Sequence, residues 1–110
     1  MLRLDINEYK AEAYVNEARK YFVYGVEEYR ETAKECYDLI KELFLMGAAS
    51  GIKKSVFVSG VIRYVSLKNS INDLPKFHLK NITLFYGITE VSARNSYKRI
   101  KRLIEGEEEW

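Results

Sequence analysis

The chain has 110 residues, 47% of them apolar and 31% charged, with a formal net charge of +2; this is one globular domain with a single modest core. No apolar run approaches the ~18 residues of a membrane span and no signal-peptide pattern opens the sequence, so a cytoplasmic protein is expected. Cys36 and His78 are the only residues of their kinds, which excludes a disulfide framework, a His-plus-Cys zinc cluster and a well-supplied Ser-His-Asp site. The expectation is therefore no enzyme, no cofactor and no metal.

The hydrophobic period predicts an all-α chain of five helices separated by short breaks. The first helix is expected over Ile6–Tyr24, with Tyr14, Ala18, Tyr21 and Phe22 at helical spacing, and an end near Gly25. A second is expected over Glu27–Met46, stopped by Gly47. Tyr29, Ala33, Cys36, Tyr37, Ile40 and Phe44 mark its apolar face. On that stripe Cys36 reads as a small core residue.

The third segment, Ser55–Leu67, is apolar nearly all round. Its β-branched residues alone would suit a strand, but its length and its neighbours favour a buried central helix. Gly60 in its middle costs ~1 kcal/mol in helix propensity against alanine. Close approach of a neighbouring helix would explain it.

Pro75 suits the first turn of a fourth helix reaching Tyr86, with Phe77, Ile82 and Phe85 as candidates for burial. Asp73 and His78 are alternative caps for it. Gly87 breaks that helix, and Thr89 can cap a fifth through its hydroxyl. Along the fifth, Ala93, Tyr97, Ile100 and Ile104 form an inward stripe, while Val91, Arg94 or Asn95, Lys98, Lys101 and Arg102 face outward. Two helices joined by a short Gly-containing turn, the second basic outside and apolar inside, make a helix-turn-helix pattern over about 75–104.

Charge is unevenly spread. Residues 1–50 hold seven basic and ten acidic side chains, whereas 51–104 hold eleven basic against Asp73 and Glu90 alone. The asymmetry points to a polyanionic partner on the second half; a Lys/Glu-rich thermophile surface is the alternative. The acidic stretch 105–110 reads as a disordered tail or as a weak internal competitor for the basic helix. The Tyr and Phe residues read mainly as core.

The run Ile88-Thr-Glu-Val-Ser-Ala-Arg-Asn-Ser-Tyr-Lys-Arg-Ile100 resembles the last helix of a cyclin-like repeat in archaeal transcription factor B and its eukaryotic counterpart. That family shows a Thr-Glu-Val-Thr-x-Arg-Asn-x-Tyr-Lys pattern there, preceded by Gly and one apolar residue, as Gly87 and Ile88 stand here. Ala33–Tyr37 and Gly51–Tyr64 resemble its second and third helices, so the likeness covers about 26–104. The family carries two repeats, a zinc ribbon and a segment reaching RNA polymerase. The 110 residues here match one repeat and contain no cysteine pair.

The resemblance implies a DNA-binding transcription regulator whose last helix reads the major groove of double-stranded DNA. Carried over by position, Val91 and Arg94 touch bases, with Ser92 and Asn95 beside them. Arginine can bond guanine O6 and N7 together, and valine can pack on a thymine methyl. Lys98, Arg99, Lys101 and Arg102 lie further along, placed for phosphates; Lys53, Lys54 and Lys80 are further phosphate candidates. A Glu90–Arg94 pair, worth only ~0.3–0.5 kcal/mol, would not hold Arg94 from a guanine. TATA-binding protein or other transcription machinery is the implied protein partner. A homodimer would imitate the tandem repeats. An archaeal or archaeal-virus source is the closer match. The alternative function is a cyclin-like protein-interaction module without specific DNA binding.

Overall fold

A computed structural model describes residues 6–23 and 27–106. The chain is all-α. Its helices are α1 (Ile6–Tyr21), α2 (Arg30–Leu45), α3 (Lys54–Lys68), α4 (Leu79–Tyr86) and α5 (Glu90–Glu105), with a 3-10 turn over Pro75–Phe77 before α4. No strand occurs among the described residues.

The middle of the sequence is the middle of the molecule. α3 packs against α1, α2, α4, α5 and the 3-10 turn, as its all-round apolar composition requires. Phe57, Val58, Val61, Ile62 and Val65 are fully enclosed, each burial being worth about 1.5–3 kcal/mol. Its two buried serines stay helical because each hydroxyl donates back one turn. Ser59 Oγ bonds the Val56 carbonyl at 2.8 Å and Ser66 Oγ the Arg63 carbonyl at 2.9 Å. Gly60 meets α5, where a β-carbon would stand 2.8 Å from Ser96 Cβ.

The helix ends follow local rules. α2 closes through Gly47 at φ +87°, with the Gly47 and Ala48 N–H groups bonding the Phe44 and Leu43 carbonyls. α4 closes the same way through Gly87 at φ +67° and the Ile88 N–H to Thr83; both are left-handed glycine caps. On α2, Ala33, Cys36, Ile40 and Leu43 are buried, with Tyr37 and Phe44 packed at the edge. Burial pushes the Cys36 thiol well above its ordinary range, as expected of an inert core cysteine.

Four expectations need correction. α1 ends at Tyr21, short of Tyr24, while Gly25 lies outside the described residues. α2 starts at Arg30, because residues 27–29 form a turn. The fourth helix does not start at Pro75. Extended backbone at His78 separates the 3-10 turn from α4, and neither His78 nor Asp73 supplies a side-chain cap to it. His78 instead places Nε2 2.8 Å from the Asp73 carbonyl. Finally, Phe85 and Ile104 are 50% and 38% exposed, so neither is core. Of the acidic stretch, Glu105 belongs to α5 and Gly106 is its left-handed cap; residues 107–110 lie outside the described ones.

An aromatic cluster ties α1 to the segment before α5. Tyr21 and Phe85 rings lie 5.0 Å apart, Phe22 and Phe77 6.2 Å, and Tyr29 and Phe77 5.2 Å. Lys76 covers the Tyr21 ring at 4.3 Å and donates to the Tyr21 carbonyl at 2.7 Å. The Tyr21 hydroxyl returns a hydrogen bond to the Lys76 carbonyl.

Candidate nucleic-acid interface

α5 is positioned by both its ends and by one face. At its start Thr89 Oγ1 accepts the Ser92 N–H at 3.1 Å, satisfying one of the orphan donors of the first turn. Its inner face buries Ala93, Ser96 and Ile100. Towards its end the Tyr97 ring lies 6.3 Å from that of Tyr64, and the Tyr64 hydroxyl donates to Glu105 at 3.2 Å. A regular helix with one face clamped must show the other to solvent.

That outer face is apolar at its first turn and cationic beyond. Val91 is 63% exposed. Arg94 is exposed and pairs with Glu90 at 3.1 Å, both side chains about half accessible. Such an exposed i, i+4 pair is weak and exchangeable. Asn95, Lys98, Arg99 and Arg102 are exposed, and no carboxylate among the described residues pairs with the last three. Lys101 lies 3.2 Å from Glu105, a carboxylate it shares with Tyr64. Ser92 is half-buried, its hydroxyl accepting from Thr89 Oγ1 at 3.0 Å.

α3 and α5 run side by side in the same direction. Gly60 meets Ser96 and Ile100, and one turn on, Tyr64 meets Tyr97 and Glu105. Their N-termini therefore share one end of the molecule, which brings Lys53 and Lys54 towards the start of α5. Between the two helices lies a groove of about 280 Å³, walled by Ile52 and Val56 on one side and by Ser92, Asn95, Ser96 and Arg99 on the other. A larger open cleft of about 530 Å³ shares Ile52 and extends to Lys10, Tyr14 and Lys53. Lys54 stands over the Tyr14 ring at 5.9 Å. Lys80 is exposed in the first turn of α4, and no hydrogen bond or ion pair among the described residues joins its side chain to the α5 group.

Sequence reasoning missed three residues here: Ile52, Val56 and Ser96. Ser96 had a signal, since it stands three residues after Ala93 and four before Ile100, on the buried stripe. Its Oγ is the one buried side-chain polar atom without a hydrogen-bond partner among the described residues.

The described residues hold no group of three His, Cys, Asp or Glu able to bind a metal ion. None of their helices is long and apolar enough to cross a membrane. The chain matches no protein-family model, and no curated protein or solved structure shows significant similarity to it.

Proposed function

We propose that this chain is a single cyclin-like repeat that binds double-stranded DNA through a helix-turn-helix formed by α4 and α5, and acts as a transcription regulator. The observation that carries the reading is the outer face of α5. Exposed Val91 and Arg94 lie in the first two turns, followed by Lys98, Arg99 and Arg102 with no carboxylate partner among the described residues. A recognition helix meets base edges with its N-terminal residues and phosphates with those beyond. The three-residue connection Gly87–Thr89 supports it, holding α5 against α4 by a glycine cap on one side and a threonine cap on the other.

In this reading Arg94 and Val91 read bases, Ser92 and Asn95 lie beside them, and the cations with Lys53, Lys54 and Lys80 neutralise phosphates. If about five phosphates are neutralised, log K falls against log salt with a slope of about −4 to −5. Two copies bound to neighbouring half-sites, or one copy beside TATA-binding protein, would each extend the few base pairs that one helix reads.

The test is selection of a preferred duplex from a random pool, followed by Arg94→Ala. A loss of about 1–3 kcal/mol on the selected duplex, with relaxed preference at one position, fits guanine reading. An equal loss on every duplex makes Arg94 a phosphate contact. Failure to enrich any sequence, with no binding to DNA at all, leaves the protein-interaction module as the function.

A further inference from the structure

We infer that the groove between the start of α3 and the middle of α5 seats one phosphate of the DNA backbone, held by Arg99 and Asn95; this rests on the DNA-binding reading above. The groove's polar wall is entirely on α5 and consists of Ser92, Asn95, Ser96 and Arg99, facing the apolar Ile52 and Val56. No carboxylate lines it. Arg99 is exposed and has no carboxylate partner among the described residues, so its forked donors are available to an oxyanion.

Two features of α3 favour an anion at this place. The N-terminus of α3 lies at this groove, so the positive end of the α3 dipole faces it. The N-cap residue of α3 is Lys53, whose side chain makes no capping hydrogen bond; the first N–H groups of α3 are left for another acceptor. Lys53 and Lys54 are both exposed, Lys53 on the adjoining cleft and Lys54 over the Tyr14 ring, so their charge lies beside the groove and not in its wall.

The placement also fits the proposed reading geometrically. Ser92, Asn95 and Arg99 each follow Val91, Arg94 and Lys98 by one residue, which is about 100° around the helix towards α3. A helix lying in the major groove on its Val91–Arg94–Lys98 face would bring this flank against one strand's backbone. The seat would then set the depth and tilt of α5, leaving sequence reading to Val91 and Arg94.

The experiment is a two-dimensional amide NMR titration of the full chain with a short random-sequence duplex at low salt, paired with affinity measurements on Arg99→Gln and Lys98→Gln. Both substituted side chains are exposed, and an unchanged melting curve verifies folding. The expected result is shifted amides at Lys53 to Val56 together with Ser92, Asn95 and Arg99. Arg99→Gln should lose about tenfold in affinity and reduce the salt slope by about 0.9. Shifts confined to Val91, Arg94, Lys98 and Arg102, with Arg99→Gln binding like wild type, would overturn the groove as a phosphate seat and leave the DNA reading standing. No shift anywhere on adding duplex would overturn both.

Discussion

Gly60 and Ser96 mark the point where α3 and α5 touch with no side chain between them. A β-carbon on Gly60 would lie 2.1 Å from Ser96 Oγ, 2.8 Å from its Cβ and 3.0 Å from Ile100 Cδ1. The helix carrying the candidate DNA face is thus held to the central helix by a contact that only glycine permits. Replacing Gly60 by alanine gains ~1 kcal/mol of helix propensity, but although Ser96 Oγ and Ile100 Cδ1 can rotate away, Ser96 Cβ is fixed to the α5 backbone and cannot. Gly60→Ala is expected to destabilise the fold by about 1–3 kcal/mol, measured by urea unfolding. Gly60→Ala/Ser96→Gly should recover part of the loss, giving a coupling energy of at least about 0.5 kcal/mol between the two positions.

Ser96 carries a cost of its own. Its hydroxyl is buried without a hydrogen-bond partner, and an unsatisfied buried polar group costs about 1–3 kcal/mol. Ser96→Ala keeps the Cβ contact with Gly60 and removes the orphan, so it should raise stability by about 1 kcal/mol. A thermal melt of the variant beside wild type measures this; a lower melting temperature would mean that the hydroxyl is satisfied in solution.

Thr89 has the opposite balance. Its hydroxyl accepts the Ser92 N–H, so Thr89→Ala should cost about 1 kcal/mol, and Thr89→Ser should cost little. The same melts separate these. If the cap is what fixes the start of α5, faster amide exchange in Thr89→Ala should be concentrated at Val91 and Ser92.

At alkaline pH the aromatic cluster should control stability. Burial pushes the Tyr21 phenol up to about 12. The Tyr86 phenol is raised further, by burial and then by the nearby Glu17 carboxylate. Unfolded tyrosines ionise near pH ~10. Above that value the unfolded state releases protons that the folded state retains, and stability falls with rising pH. Burial also holds the Lys76 ammonium below its ordinary range; its loss of the proton works in the opposite sense, just below the usual lysine value. The urea midpoint should therefore hold to about pH 10 and decline above it, with the Tyr21 contribution lost by about pH 12 and that of Tyr86 still falling beyond. Tyr21→Phe should flatten part of that decline.

The sequence made the long helices and the central place of α3 legible because their apolar periods are strong. The Gly60 contact was legible too, since a glycine inside a fully apolar helix has few other reasons to be there. The start of α4 was not. Asn81 donates to the Pro75 carbonyl at 2.5 Å and His78 contacts that of Asp73, so polar contacts specific to this turn override the helix start that Pro75 suggests. Ser96 was hidden because a hydroxyl side chain carries no apolar signal, although its spacing puts it on the buried face with Ala93 and Ile100. Ile104 fell on the stripe, yet it borders a shallow surface groove with Leu39 and Tyr64 and stays partly exposed. For the candidate interface, the exposed cations of α5 were read from the helical period. The groove they share with α3 was not, because sequence gives no relation between residues 52–56 and 92–99 until the helices are packed.

In the proposed function the cationic outer face of α5 binds duplex DNA. The most direct measurement is a fluorescence-anisotropy titration of random duplex DNA at two salt concentrations, with wild type and Lys98→Glu/Arg102→Glu side by side. Both positions are exposed and make no ion pair among the described residues, so the variant should fold as wild type does. Wild type should bind at micromolar concentration or tighter and weaken steeply with salt, and the double reversal should lose binding. Equal binding by the two proteins, or none by either, would contradict the proposed function.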